Sequence, residues 1–393
     1  MGEWRSSSWG DEISLEYGKG IRGYSDTAGP YRVFGSNGAI GWTSEPLAPG
    51  PGVILGRKGA YRGVRFSPDP FFVIDTAYYV VPKTDLDMRW LYYAIIHHKL
   101  GEIDDGSPIP STTRAAVYVR DVDIPPIDEQ RAISSILGAL DNKIDLNRRT
   151  NETLEAMALA IFKDWFVDFG PTRAKMEGRA PYLAPEIWAL FPDKLDVEGK
   201  PKGWENGSLG EYMLNFDSKR VPVSGGERAK RQGPYPYHGA TGVMDHVDDY
   251  IFEGTYLLVG EDGSVVKENG LTFTQYVWGK IWVNNHAHVL QGKGSVSTEQ
   301  LLLYFQQEPV SPYITGAVQL KLSQGRMNSM PFVFAGDRAC EKFSNFVAPL
   351  FTRLRGNSDE NKTLASTRDL LLPKLMSGEI RVKDAGNIVG AVL

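Results

Sequence analysis

Arg57, Lys58, Arg62 and Arg65 fall within nine residues of one another around Tyr61, and Arg228, Lys230 and Arg231 form a second basic cluster. Short polar turns accompany each cluster: Ser36-Asn37-Gly38 in the N-terminal half, Ala240-Thr241-Gly242 in the C-terminal half. Ser111, Thr112, Thr113 and Arg114 stand opposite Lys321, Leu322, Ser323, Gln324 and Arg326. These side chains suit nucleic acid. Arg pairs with guanine, Asn or Gln with adenine, Ser or Thr with either, and Lys and Arg with phosphate. Singly, each is an ordinary solvated loop residue. As a set present twice, they point to recognition.

Catalytic chemistry has no comparable pattern. The chain lacks a Gly-x-x-x-x-Gly-Lys-Ser/Thr phosphate loop and a Gly-x-Ser-x-Gly elbow. Gly56-Arg57-Lys58-Gly59 and Gly260-Glu261-Asp262-Gly263 share only their glycines and mark tight turns. Asp69-Pro70-Phe71-Phe72 lacks the second proline of the amino-methyltransferase motif and reads as a turn leading into a strand. His286-Ala287-His288 places two imidazoles at strand spacing, but the first half has Thr76-Ala77-Tyr78 there, so a paired-histidine metal site is not expected. Asp128-Glu129 compensates a helix dipole. Cys340 has no motif around it.

The elements that must position the polar loops are written twice. Gly29-Pro30-Tyr31 returns as Gly233-Pro234-Tyr235, and Val53-Ile54-Leu55-Gly56 as Leu257-Leu258-Val259-Gly260, at an offset of 204; further on the offset is 210, matching Gly106-Ser107 to Gly316-Ala317. Such a period is a duplicated domain rather than a solenoid unit. In each copy short apolar runs bounded by Gly and Pro predict strands: Val53–Leu55, Phe71–Ile74 and Thr76–Val81, then Tyr256–Val259, Lys280–Asn284 and His286–Leu290. Helices are predicted over Asp87–His98 and Thr298–Gln307.

Each copy closes on a heptad seam. Ile133, Leu137, Leu140, Ile144, Asn147, Asn151, Leu154, Ala158, Ile161 and Trp165 alternate by four and three, and Phe343, Val347, Leu350, Leu354, Asn357, Asn361, Leu364, Arg368, Leu371 and Leu375 repeat them 210 residues later. Helix is expected from Asp128 to Phe169, roughly 60 Å long, ended by Gly170-Pro171. The matched lengths and matched polar interruptions favour an antiparallel pair. Thr172–Gly203 reads as a connector, and Arg381–Leu393 as a loosely ordered tail.

Composition sets outer limits. A net charge of −5 is unusual for a nucleic-acid binder acting alone. One cysteine in 393 residues excludes a disulfide framework and fits a cytoplasmic location. Met1 to Arg5 lacks the basic and apolar regions of a signal peptide, Gly2 with Ser6 matches an acylation motif that arises easily by chance, and no apolar run reaches membrane-spanning length.

Long stretches carry a family resemblance. Ile124-Pro125-Pro126-Ile127-Asp128-Glu129-Gln130 resembles the start of the conserved helix of type I restriction-modification specificity subunits, and Leu137 to Leu154 and Leu159 to Phe169 resemble the rest of it. Leu364 to Ile380 resembles the family's closing helix, and Pro201-Lys202-Gly203-Trp204 the start of its second recognition domain. The second copy departs from the pattern at Pro331 to Asp337, where the Pro-Pro and Glu-Gln pairs are missing.

The resemblance implies an α+β fold with two target recognition domains (1–127 and 205–337), two long antiparallel helical spacers (128–170 and 338–378), a connector (171–204) and a tail (379–393). It implies a non-catalytic subunit that reads a bipartite site on double-stranded DNA. Two methyltransferase subunits would hold S-adenosylmethionine, and restriction subunits would use ATP and Mg²⁺, with no cofactor in this chain. Two rivals are an assembly scaffold without base readout and a methyltransferase or nuclease acting alone; missing cofactor and metal motifs count against the second.

Overall fold

Two prolines decide how the sheets divide. In the computed structural model, which describes residues 4–24, 29–104, 106, 108–263, 265–316 and 319–393, the chain forms two compact units: Met1–Asn147 with Asp359–Leu393, and Arg148–Ser358. In unit 1, Val64–Ser67 joins a four-stranded antiparallel sheet in the order Ile13–Tyr17, Ala77–Pro82, Gly52–Gly56, Val64–Ser67. Phe71–Val73 joins a separate sheet beside Tyr31–Gly35 and Gly38–Thr43. Pro68 and Pro70 lie between these two segments, and a proline has no N–H to give a ladder. Asp69-Pro70 is thus the predicted turn into a strand. In unit 2 the equivalent segment is one strand, Thr274–Val283, which pairs with both Phe252–Gly260 and Tyr235–His238. A single six-stranded sheet results. Met1, Gly2, Ser107 and Ala317, used above, lie outside the described residues.

Each unit has one helix packed on its sheet, Met88–His97 or Thr298–Phe305. Asp87 caps the first by accepting from the Arg89 and Trp90 amides, and its own N–H donates to Gln130 Oε1 at 2.9 Å. Gln130 Nε2 donates to the Pro125 carbonyl at 2.9 Å. The buried Gln130 therefore ties the sheet helix to the start of the long helix Ile127–Phe162. Arg89 reaches the Gly138 carbonyl at 3.2 Å and Asn142 Oδ1 at 2.8 Å. A β-carbon on Gly138 would stand 2.8 Å from that guanidinium, so a side chain there would push Arg89 aside.

The second long helix is Asp337–Met376, and each unit holds one half of each long helix. The halves run antiparallel. In unit 1, Ile133, Leu137, Leu140 and Ile144 share a core with Leu364, Leu371 and Leu375, and Arg368 pairs with Asp141 at 2.8 Å rather than completing the apolar seam. In unit 2, Ala158, Phe162 and Trp165 share a core with Phe343, Val347, Phe351 and Leu354. There Leu154, Ile161 and Leu350 are only half-buried, while Phe162 and Phe351, next to the expected seam, are buried. A helix of 3.6 residues per turn drifts against a 3.5-residue repeat, which moves the buried stripe sideways. Both seams carry a polar layer. Asn147 Nδ2 donates to Asn361 Oδ1 at 3.0 Å and Glu360 Oε2 at 2.7 Å; Asn357 Nδ2 donates to Asn151 Oδ1 at 2.8 Å.

Two expectations are corrected. The first long helix does not run uniformly to Phe169: it becomes a π-helical turn over Lys163–Val167 and stops where Phe169 adopts φ 54°. Gly170-Pro171 then opens a new helix, Gly170–Met176, because proline suits a first helical turn. The stretch 172–203, expected as a connector, is packed at Thr172, Ala174 and Phe191, which are buried. The tail is not loosely ordered. It forms helix Val382–Gly390, and its Ala385 and Val389 enter the unit 1 core. Among the described residues no helix is long and apolar enough to cross a membrane.

Candidate nucleic-acid interface

The same backbone frame ends the central strand of both units. In unit 1 the Arg57 N–H donates to the Thr76 carbonyl at 3.0 Å, and the Arg57 carbonyl accepts from the Thr112 N–H at 2.9 Å. In unit 2 the Glu261 N–H donates to the His286 carbonyl at 2.9 Å, and the Glu261 carbonyl accepts from the Leu322 N–H at 2.8 Å. One residue on, a bridge joins Lys58 to Ser111 in unit 1 and Asp262 to Lys321 in unit 2. Three loops distant in sequence are thereby gathered at one edge of each sheet.

The side chains on this frame are unlike. In unit 1, Tyr17 and Tyr78 sit opposite each other on paired strands, 5.1 Å between ring centres. The Arg57 guanidinium lies 5.1 Å from the Tyr17 ring and the Arg114 guanidinium 4.3 Å from it. Arg57 also donates to the Asp75 carbonyl, and Arg114 to the Leu15 carbonyl. Burial, with the neighbouring Tyr17 hydroxyl, pushes the Tyr78 phenol up to about 12.

In unit 2 the equivalent node is a charge network. His288 is fully buried, and its Nδ1 lies 2.5 Å from Asp217 Oδ2 while Nε2 lies 2.7 Å from the Leu322 carbonyl. Arg220 reaches Glu261 at 2.6 Å and Asp217 at 3.5 Å, and Lys321 reaches Glu261 at 3.2 Å. Burial works against the Asp217 carboxylate, yet the His288 ring and the Val289 amide hold it below the usual range. Asp217, Glu261 and His288 bring their ligand atoms within 4.8 Å of one another, the reach of a metal ion. Arg220 and Lys321 already supply the positive charge at that point, so the donor set is that of an internal salt-bridge cluster. His286 stands apart from His288 and pairs with Asp262 nearer the surface.

The expected contact residues divide by what already engages them. Thr112 is fully buried, and its hydroxyl donates to the Ile103 carbonyl, so it has nothing to offer a base. Ser36 donates to the Lys58 and Thr76 carbonyls, and Arg62 is held by the Gly59, Gly101 and Ile103 carbonyls. These two shape the loops. Arg231 is likewise committed to Asp248 and the face of Trp282, and Lys321 to Glu261. Asn37, Lys58, Thr241, Lys230, Gln324 and Arg326 are exposed, with no side-chain hydrogen bond or ion pair among the described residues. Arg65 is exposed and touches only the Asn37 and Val64 carbonyls.

Tyr61, which the sequence set among these cations, is 79% exposed, the most exposed aromatic side chain among the described residues. The structure adds two residues to this set. Lys99 and Arg368 join Arg62 and Arg65 around a unit 1 cavity of about 340 Å³ beside Tyr92. Lys99 and Arg368 are far apart in sequence, and no local pattern links them.

The sequence profile described as "Type I restriction modification DNA specificity domain" matches residues 18–156 and 201–334, once for each copy of the frame. The chain belongs to the type I restriction-modification specificity subunits. It is accordingly a non-catalytic DNA-specificity subunit.

Among curated relatives, the MjaIX specificity subunit of Methanocaldococcus jannaschii is 26% identical over 328 residues, spanning 78% of this chain and 72% of that one. The HindI specificity subunit of Haemophilus influenzae is 25% identical over 374 residues, spanning 79% and 81%. The crystal structure of the type I S subunit from M. genitalium superposes with a TM-score of 0.57 at 16% identity, covering 95% and 96% of the two chains, and so shares the fold. In this specificity subunit the missing Glu-Gln pair of the second copy has a structural counterpart. Cys340 stands where Gln130 does, and the amide comes instead from Gln300, whose Nε2 lies 3.8 Å from Cys340 Sγ.

Proposed function

We propose that each unit reads one half of a bipartite, gapped site on double-stranded DNA. Unit 1 does so through Asn37, Lys58, Tyr61 and Arg65, and unit 2 through Lys230, Thr241, Gln324 and Arg326. The recognition domains are 1–127 and 205–337. The helical spacers, 128–170 and 338–378, set the distance between half-sites and dock two methyltransferase subunits. Restriction subunits complete the assembly, and S-adenosylmethionine, ATP and Mg²⁺ belong to these partners. The segment 171–204 is the connector, and 379–393 is a tail that packs on unit 1.

The observation that carries this reading is the backbone frame occurring twice with different side chains on and around it. A repeated frame supports one task done at two places, and unlike side chains support two different base preferences. The net charge of −5 is compatible with it if partner subunits meet much of the phosphate.

Methylome sequencing of a host carrying the chain with its methyltransferase partner, against the same host without the chain, tests the reading. A gapped methyladenine motif that vanishes with the chain is expected; an unchanged methylome rules it out. Four residues inserted into both seams should alter the spacer and leave both half-sites intact.

A further inference from the structure

One corner of unit 2 is underfilled relative to its equivalent in unit 1. Where unit 1 has Trp9, Trp90 and Gln130, all fully or nearly fully buried, unit 2 has the smaller Leu209, Gln300 and Cys340. Tyr304 in place of Ala94 returns only part of the volume. At this corner lies a cavity of about 230 Å³, lined by Gln300 and walled by the rings of Phe162, Phe166, Tyr304 and Phe332. That is smaller than the 300–1,000 Å³ or so of small-molecule sites and nearer the size of one large side chain.

Its polar lining leaves acceptors unmet, since the Gln307 amide, which also lines it, already donates to the Gln306 carbonyl. Gln300 is 1% exposed, and its Oε1 accepts no hydrogen bond among the described residues. A buried carbonyl oxygen of this kind is unfavourable until a donor meets it. Glu308 also lines the cavity, has no side-chain partner among the described residues, and is pushed up by burial. No cationic side chain lines it. Two acceptors set among aromatic faces match a guanidinium, which donates from a planar fork and stacks on rings. Arginine is also a common interface anchor in such pockets.

We propose that this cavity receives an arginine side chain of the methyltransferase subunit, with Gln300 Oε1 and Glu308 accepting from the guanidinium. The identity of the partner rests on the proposed function; the guanidinium chemistry does not.

The test uses the full chain. Agmatine, an aminobutyl guanidinium, should bind saturably by ligand-observed NMR, at least tenfold tighter than its isostere with a neutral head group, N-(4-aminobutyl)urea. Glu308→Gln should weaken agmatine at least fivefold. Gln300→Trp, which restores the residue of the other copy, should abolish binding while thermal melting stays cooperative. In sedimentation with the cognate methyltransferase subunits, the same variant should weaken assembly at least tenfold. Equal binding of agmatine and N-(4-aminobutyl)urea, or agmatine binding unchanged in both variants, overturns the pocket. Assembly of the wild type but undiminished assembly of Gln300→Trp overturns the partner. A wild-type chain that does not assemble at all overturns the proposed function as well.

Discussion

Arg57 and Glu261 occupy equivalent positions, each with its N–H and carbonyl committed to the same two loop-to-loop hydrogen bonds. Around Arg57 the neighbours are two tyrosine rings and a second guanidinium; around Glu261 they are an imidazole, another carboxylate, Arg220 and Lys321. The frame thus depends on backbone hydrogen bonds, which are indifferent to the side chain. The side chains need only satisfy one another locally. Unit 1 does so through cation–π contacts and bonds to carbonyls, unit 2 through ion pairs.

The largest expected effect separates these two solutions. Glu261→Ala leaves the largely buried Arg220 without its main partner, with the half-exposed Lys321 beside it, and should destabilise unit 2 by about 3–5 kcal/mol in urea unfolding. Arg57→Ala forfeits only bonds to one carbonyl and two ring faces, so about 1–2 kcal/mol is expected from unit 1. Equal losses would mean the nodes are energetically alike.

The helix layers give the next contrast. Asn151→Leu strands the Asn357 amide and should cost about 1–3 kcal/mol, most of it recovered in the double variant with Asn357→Leu. Failure of the double variant to recover would mean the layer does more than satisfy itself.

In unit 1 a pH effect is expected at Glu12. The Arg5 guanidinium, with hydroxyls of Ser7 and Thr84, holds the buried Glu12 carboxyl at about 2, below its ordinary 4.5. Because the folded value is the lower one, this stabilisation is present above pH 4.5 and is lost as pH falls towards 2. Glu12→Gln should flatten the loss in that window, read by hydrogen exchange of strand Ile13–Tyr17; an unchanged pH profile would refute the assignment. Smallest in stability are Asn37→Ala and Thr241→Ala, within about 0.5 kcal/mol. Each should nonetheless relax one half-site in methylation sequencing and leave the other unchanged.

Much of this architecture was legible in the residues. The heptad spacing located both long helices because it persists over ten seam positions, and Gly- and Pro-bounded apolar runs located the strands. The nodes were not legible. Tyr17, Arg57, Tyr78 and Arg114 are joined by strand register and loop hydrogen bonds, and nothing in their local sequence announces the meeting. Thr112 is a polar residue in a polar stretch, and only tertiary packing puts it inside. The tail escaped for another reason. Val382, Ala385 and Val389 have helical spacing, but Gly386 and Gly390 weaken the pattern, and the docking core supplies the missing stability.

The asparagine layers have a consequence for how such a chain can arise. Asn147 meets Asn361 and Asn151 meets Asn357, while the repeat makes Asn147 equivalent to Asn357 and Asn151 to Asn361. Each layer therefore joins the first asparagine of one copy to the second asparagine of the other. That reciprocity is the rule of an isologous contact, the kind two identical chains make across a two-fold axis. The duplicated polypeptide carries within itself the handshake of a homodimer, and fusion frees each half to change its loops without the other following.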